Sequence, residues 1–273
     1  MRAIPLLLSC VMLLGAAIGQ SERSPASADK NLPTQAAPMS TGVKRHLGVM
    51  EIATTKLDAC KKLLAAIPED VALQLKSAHL RNLTGFLKEL GGKHYLITYF
   101  EYAGNDWERD TGQLEKIPAI SAWQKSICEL EVAPGESQGI IDGEEVFFTA
   151  GATEVVPTPD KYARIGMITG LKPEKEAEYR TLHATTWPGV LKGIKDCNDR
   201  NFSINLVDLD GHLYLIGYLE YVGKNPDADA AAGKALPVNK RWWKFTDACQ
   251  QPLPAAAAKG EIWDGMTEIY HLN

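Results

Sequence analysis

Residues 95–104, YLITYFEYAG, and residues 214–223, YLIGYLEYVG, agree at seven of ten positions while standing 119 residues apart. The same offset places Arg45 on Arg164, Pro118 on Pro237, Trp123 on Trp242 and Lys125 on Lys244. Identities held at one constant spacing, a tryptophan among them, read as an internal repeat of domain length. The chain is therefore expected to carry two diverged copies of one fold, at residues 44–152 and 161–273.

Each copy has the same order of predicted elements. In the second, Arg164 to Gly170 alternates apolar residues as a short strand does. Pro173 with Glu174, Glu176 and Glu178 opens a helix, where proline in the first turn and negative charge are both favoured. That helix is expected to run to about Asp196. Asn201 to Asp208 reads as a strand, Asp210-Gly211 as a hairpin turn, and His212 to Tyr221 as the partner strand. A helix over roughly Asn239 to Gln250 and a last strand from Thr267 to Leu272 complete the copy. The first copy repeats the pattern: strand 45–52, helix from about 56, strands 80–87 and 93–102, helix 119–130 and strand 144–150. The order β-α-β-β-α-β is the ferredoxin-like arrangement, with both helices on one face of a four-stranded sheet. The bare face of such a sheet needs a cover, usually supplied by dimerisation. The expectation is an α+β chain whose two repeats form an intrachain dimeric α/β-barrel, a pseudo-dimer, with residues 131–160 as the connection.

Outside the repeats, Met1-Arg2 followed by the apolar run Leu6 to Ile18 and the small residues Ala17 and Gly19 reads as a secretory signal peptide at 1–19. The run is too short for a permanent span, which needs ~20 apolar residues. Leu7-Leu8-Ser9-Cys10 offers a lipoprotein alternative, but the apolar run continues past Cys10. Residues 20–43 are rich in Ser, Pro, Ala and Thr without hydrophobic period, which is a disordered tether. The expected location is secreted or periplasmic. There Cys60, Cys128, Cys197 and Cys249 have three possible disulfide pairings, or serve as small buried residues on helices.

A net charge of −5 argues against nucleic acid as a partner, since a basic face is missing. His46, His79, His94, His212 and His271 show no HxxxH or HxH spacing, so no metal site is expected. No phosphate-cradling glycine loop and no GxSxG elbow occurs.

Chemistry concentrates instead on the second copy. Tyr179, His183 and Trp187 are spaced i, i+4, i+8, and each step turns a helix by only ~40°, so they form one stripe. Aromatic faces suit sugar C–H surface, and an imidazole moves protons near neutral pH. The plainer alternative is the core face of a helix. Two observations favour chemistry. Arg241-Trp242-Trp243-Lys244 is costly as pure core, because indole N–H groups need partners. At the repeat offset, the first copy has Cys60, Leu64 and Pro68 against Tyr179, His183 and Trp187, and Gln124 against Trp243. A core requirement alone gives no reason for that asymmetry.

The strings YRTLHATTWPGVL (179–191), RWWKFTDACQQPLP (241–254) and TEIYHLN (267–273) together resemble the L-rhamnose mutarotase family. The resemblance covers about 162–273, and the first copy is then a degenerate repeat. It implies a cofactor-free isomerase of dimeric α/β-barrel fold that interconverts sugar anomers. It further implies that Tyr179, Trp242 and Trp243 contact the sugar and that His183 is the proton donor. A further sugar-binding tyrosine of the family falls on Phe202, so one hydroxyl is missing. Asp247, one turn beyond the tryptophan pair, is a candidate partner base, and a solvated helix-end aspartate is the plainer alternative. Two rival functions stand beside this one: a non-catalytic sugar-binding protein of the same fold, and an oxygen-using activity, since this fold hosts unrelated chemistries.

Overall fold

The computed structural model describes residues 42–132, 139–150 and 163–273. The signal peptide, Cys10 and nearly all of the tether lie outside the described residues. The chain forms two compact units. Of the described residues, those up to Thr84, within Glu89–Asp142 and within Ile269–Asn273 form the first; those within Gly85–Lys88 and Gly143–Glu268 form the second.

The first unit contains strands β1 (Lys44–Ile52), β2 (Leu80–Leu90), β3 (Lys93–Tyr102) and the short β4 (Ile140–Asp142). Its helices are α1 (Leu57–Ala65), α2 (Glu69–Ser77), α3 (Trp107–Gly112) and α4 (Pro118–Cys128). The second contains β5 (Glu144–Thr149), β6 (Ala163–Leu171), α5 (Glu176–Ala184), α6 (Pro188–Asp196), β7 (Asp199–Leu209) and β8 (His212–Tyr221). It continues with α7 (Pro226–Ala235), α8 (Pro237–Cys249), β9 (Gln250–Gln251), α9 (Pro254–Ala257) and β10 (Asp264–Gly265). The last strand is β11 (Thr267–Leu272).

Sheet order corrects one expectation. The sheets run β11-β2-β3-β1-β4 and β10-β6-β8-β7-β5, so each strand expected to close one copy pairs in the sheet that holds the other strands of the other copy. β5 lies antiparallel on β7, Glu144 facing Leu206 and Thr149 facing Phe202. Alternation identifies a strand and its faces but is silent about which edge it joins. An open edge at β2 or β7 exposes unpaired amides, and either closing strand satisfies it.

A second correction concerns the helix expected over 173–196. It is two helices, α5 and α6, after a short 3-10 turn at Pro173–Lys175. Pro188 has no N–H for the carbonyl of Ala184, and it drives Trp187 to an extended ψ of 135°. The Thr186 hydroxyl donates to the His183 carbonyl at 2.9 Å, satisfying one group freed by the break.

The offset of 119 recurs in detailed geometry. In the first unit Tyr99 and Asn82 both donate to Glu101, at 3.1 Å each. In the second, Tyr218 and Asn201 donate to Glu220 at 3.1 and 3.0 Å. Asn82 and Asn201 share a left-handed backbone, φ 53° and 47°. Tyr102 donates to Asp110 and accepts the Asp106 N–H; Tyr221 does the same with Asp229 and Asn225. The hairpin turns use Gly91-Gly92 and Asp210-Gly211, with positive φ at all four residues. That is the backbone of a two-residue turn matched to strand twist.

Candidate active site

The core under the second sheet fixes the site. Phe147, Leu171, Tyr179, Ile204, Leu206, Leu215 and Cys249 form a buried cluster, with Leu182, Leu191, Ile194 and Phe202 packed against it. Beside this cluster a cavity of about 790 Å³ opens, within the size range of small-molecule sites. Tyr179, His183, Phe202, Trp242, Trp243 and Asp247 all line it.

His183 sits among aromatic rings. Tyr179, one helical turn before it, lies 4.1 Å away between ring centroids and tilted by 30°. Trp242 and Phe147 meet it edge-on at 5.5 and 5.4 Å. Its Nδ1 lies 3.1 Å from the Tyr179 carbonyl. A carbonyl only accepts, so Nδ1 carries the hydrogen and Nε2 keeps a lone pair. Burial lowers the imidazole pKa to about 4, against the weaker opposing effect of that hydrogen bond. The expectation of an unperturbed imidazole therefore does not hold: at neutral pH His183 is uncharged and basic at Nε2. Burial also pushes the Tyr179 phenol above its ordinary value, so it stays protonated.

The remaining predicted residues divide. Trp242 is buried and forms a wall beside His183. Trp243 and Phe202 line the cavity, Phe202 against Phe147 at 5.5 Å. Trp187 is not among the lining residues; it packs edge-on behind Trp242 at 5.4 Å and against Phe245 at 5.9 Å. The Pro188 break takes it off the α5 stripe. Asp247 lines the cavity, and burial raises its carboxyl pKa while a hydrogen bond from Thr246 opposes the shift.

Sequence reasoning missed several lining residues. Phe147 belongs to the strand assigned to the other repeat, so only the strand exchange reveals it. Asp199 lines the cavity with its carboxyl pushed by burial up to about 6. The repeat offset carried a usable signal there, since the first copy has the buried Leu80. Among the described residues no group of three or more His, Cys, Asp or Glu is arranged to hold a metal. Cys60, Cys128, Cys197 and Cys249 are free thiols, and burial pushes Cys60 up to about 11. No helix among the described residues is long and apolar enough to cross a membrane.

The corresponding place in the first unit is nearly closed. A cavity of about 40 Å³ is lined there by Leu80, Leu83, Phe100, Trp123 and Gln124, the offset counterparts of Asp199, Phe202, Leu219, Trp242 and Trp243. Cys60 and Leu64, in place of Tyr179 and His183, are buried.

Comparison with known proteins agrees with this division. The L-rhamnose mutarotase family model matches residues 164–272. An L-rhamnose mutarotase of Oceanobacillus iheyensis is 26% identical over 110 residues, covering 40% of this chain and 98% of that relative. Among solved structures, a candidate monooxygenase of Fusobacterium nucleatum aligns with a TM-score of 0.51 at 11% identity, over 85% of this chain and 94% of its own. A second, from Lactobacillus acidophilus, aligns at 0.50 and 11% identity, over 84% and 96%. At that identity the likeness concerns fold alone, and the fold is ferredoxin-like α+β of the dimeric α/β-barrel kind. All of the cavity's lining residues except Phe147 fall within 164–272, the stretch that carries the L-rhamnose mutarotase family match.

Proposed function

We propose that residues 161–273 act as a mutarotase on L-rhamnose or a related aldose, in a chain exported by a leader at 1–19 and tethered by 20–43. The observation that carries this reading is the neutral His183, with Nε2 unprotonated, in a cavity walled by Trp242 and Phe147. With a pKa about three units below pH 7, only ~0.1% of the imidazole is protonated at rest. His183 therefore begins as the base, and it becomes the proton donor expected from the family resemblance only after taking a proton. Its Nε2 removes the anomeric hydroxyl proton. The C1–O1 double bond forms as the ring C–O bond breaks, and the electron pair goes to the ring oxygen, which takes a proton. Rotation about C1–C2 and the reverse steps close the other anomer, returning the proton. An imidazolium of low pKa is a strong acid, well suited to giving the proton to the departing ring oxygen. General acid–base help is typically worth ~10²–10⁴-fold. Tyr179 orients the His183 ring, and the indoles of Trp242 and Trp243 cover the sugar's C–H face.

The first unit is then a diverged copy, retained for its fold. The hydrogen-bond sets repeated at an offset of 119 support a tandem duplication, and the filled cavity supports loss of chemistry there.

Saturation-transfer NMR between the α and β anomers of L-rhamnose tests the reading. Wild-type protein is expected to accelerate exchange and His183→Ala to lose the acceleration. Sugar binding without acceleration by the wild type would assign the chain to the non-catalytic binders instead. Oxygen uptake with aromatic substrates, and no response to sugars, would move it out of carbohydrate chemistry.

A further inference from the structure

The cavity is longer than one sugar ring requires. Its lining on α8 runs from Asn239 to Asp247, eight helical rises or ~12 Å at ~1.5 Å each, whereas a pyranose is only a few bonds of ~1.5 Å across. His183 meets the middle of this wall, at Trp242. Toward Asn239 the cavity continues into a corner bounded by Gly193, Cys197, Asp199, Gly233 and Lys234.

That corner differs from the first copy at three positions. Gly193, Gly233 and Asp199 correspond at the 119 offset to Gln74, Leu114 and Leu80. The two glycines let neighbouring side chains pack directly on their backbone, and the polar change that faces the cavity is Asp199. A Cβ on Gly233 would stand 2.8 Å from the Cys197 sulfur, and one on Gly193 would stand 3.1 Å from Asn239 Oδ1. The Asp199 carboxyl has no side-chain hydrogen bond or ion pair among the described residues; its charged neighbours Arg200 and Asp229 act on it only through space. Burial raises it to about 6, which leaves it ~90% ionised at pH 7. A partly buried carboxylate without a partner pays for desolvation and recovers it when hydroxyl groups donate to it. Carboxylate oxygens accept two hydroxyls side by side, the chemistry of a sugar diol.

We infer that the Asp199 corner is a second sugar subsite, and that the ligand is a neutral reducing disaccharide whose reducing ring lies at His183 and whose second ring donates hydroxyls to Asp199. The inference rests on the proposed function for the identity of the first subsite, and its test separates the two. Binding of L-rhamnose and of a disaccharide with L-rhamnose at its reducing end is measured by calorimetry on the full chain, for wild type, Asp199→Asn and Asp199→Leu, each checked for folding by thermal unfolding. Anomer exchange is followed by NMR on the same samples. The wild type is expected to bind the disaccharide about tenfold more tightly than the monosaccharide, and Asp199→Leu to bring that ratio close to one. Asp199→Asn, which keeps one acceptor oxygen, is expected to fall between. Equal affinities for the two sugars in the wild type, or a ratio unchanged by Asp199→Leu, would overturn the subsite while leaving accelerated exchange of L-rhamnose to support the mutarotase. An Asp199-dependent preference without accelerated exchange would uphold the subsite and remove the mutarotase. A protein that binds neither sugar overturns both.

Discussion

At the scale of single residues, the site turns on the environment of one imidazole. A free histidine loses its base form below about pH 6.5, whereas burial holds His183 at about 4. Exchange that depends on His183 is therefore expected to stay level from pH 7.5 down to about 5 and to fall as the pH passes through 4. Asp199, near 6, and Asp247, raised by burial, titrate in the same cavity, so the profile is read as wild type minus His183→Ala. A difference profile with its midpoint near 6.5 would contradict a buried neutral base. His183→Gln keeps much of the shape but not the base, and it is expected to lower the rate by ~10²-fold or more with sugar affinity nearly unchanged. The candidacy of His183 was legible in sequence, because its spacing from Tyr179 survives in a short helix and Leu64 stands 119 residues earlier. Its protonation state was not legible. That depends on Phe147 and Trp242, which reach it from β5 and α8, and only tertiary packing brings them there.

At the scale of elements, the strands and turns followed from local pattern with little displacement. Asp210-Gly211 was recognisable as a turn because φ is positive at both residues, 55° and 80°, and Gly and Asp tolerate that backbone. The uninterrupted helix over 173–196 failed because helical spacing continues across Pro188, while the lost N–H breaks the ladder at that point. The closing strands were found but assigned to the wrong sheets, since period-2 alternation contains no partner information. One small motif now has an energetic meaning. Tyr221 donates to Asp229 at 2.6 Å and accepts the Asn225 N–H at 2.9 Å, joining the end of β8 to the start of α7. A Cβ on Gly223 would lie 2.3 Å from the Tyr221 hydroxyl oxygen. Gly223→Ala is therefore expected to cost ~2–3 kcal/mol in urea unfolding, through overpacking and loss of that joint. Gly104→Ala is expected to cost a similar amount, because its Cβ would lie 2.4 Å from the Tyr102 hydroxyl. Gly211→Ala, at φ 80° with nothing within 4 Å of the new methyl, should cost only ~1 kcal/mol. If Gly223→Ala proved as mild as Gly211→Ala, the tyrosine joint would not be the constraint at that turn.

At the scale of the whole molecule, stability and pH are linked through histidines whose pKa burial lowers, His46 in the first unit and His183 in the second. His46 on β1 stacks on Phe100 at 4.9 Å and lies 5.1 Å from Trp107, its Nε2 buried and without a partner among the described residues. Burial, reinforced by Lys44 and Arg45, lowers its pKa to about 4. In the unfolded chain it returns to about 6.5, so between pH 4 and 6.5 the unfolded state binds a proton that the folded state refuses. Stability from this residue is thus complete above 6.5 and is lost as pH falls through 4, a change of ~3 kcal/mol across the window. His183 acts in the same direction, with the same pKa. Asp142 and Asp199, raised to about 6 by burial, act oppositely: the folded state holds their protons between 3.8 and 6, so they favour folding more as pH falls. The wild-type pH dependence is a sum of these opposing contributions, and a single substitution is needed to separate them. The residue 119 positions after His46 is Ile165, so His46→Ile introduces the apolar residue found on β6 at that offset. Urea unfolding of wild type and His46→Ile at pH 7 and pH 4.5 isolates the histidine, because the carboxyl contributions cancel in the comparison. The variant is expected to gain ~2.4 kcal/mol on the wild type between the two pH values, most of the full window. A difference between the two proteins that stays constant with pH would mean that His46 is solvated and protonated in the folded chain, and that its ring does not lie under Phe100 and Trp107.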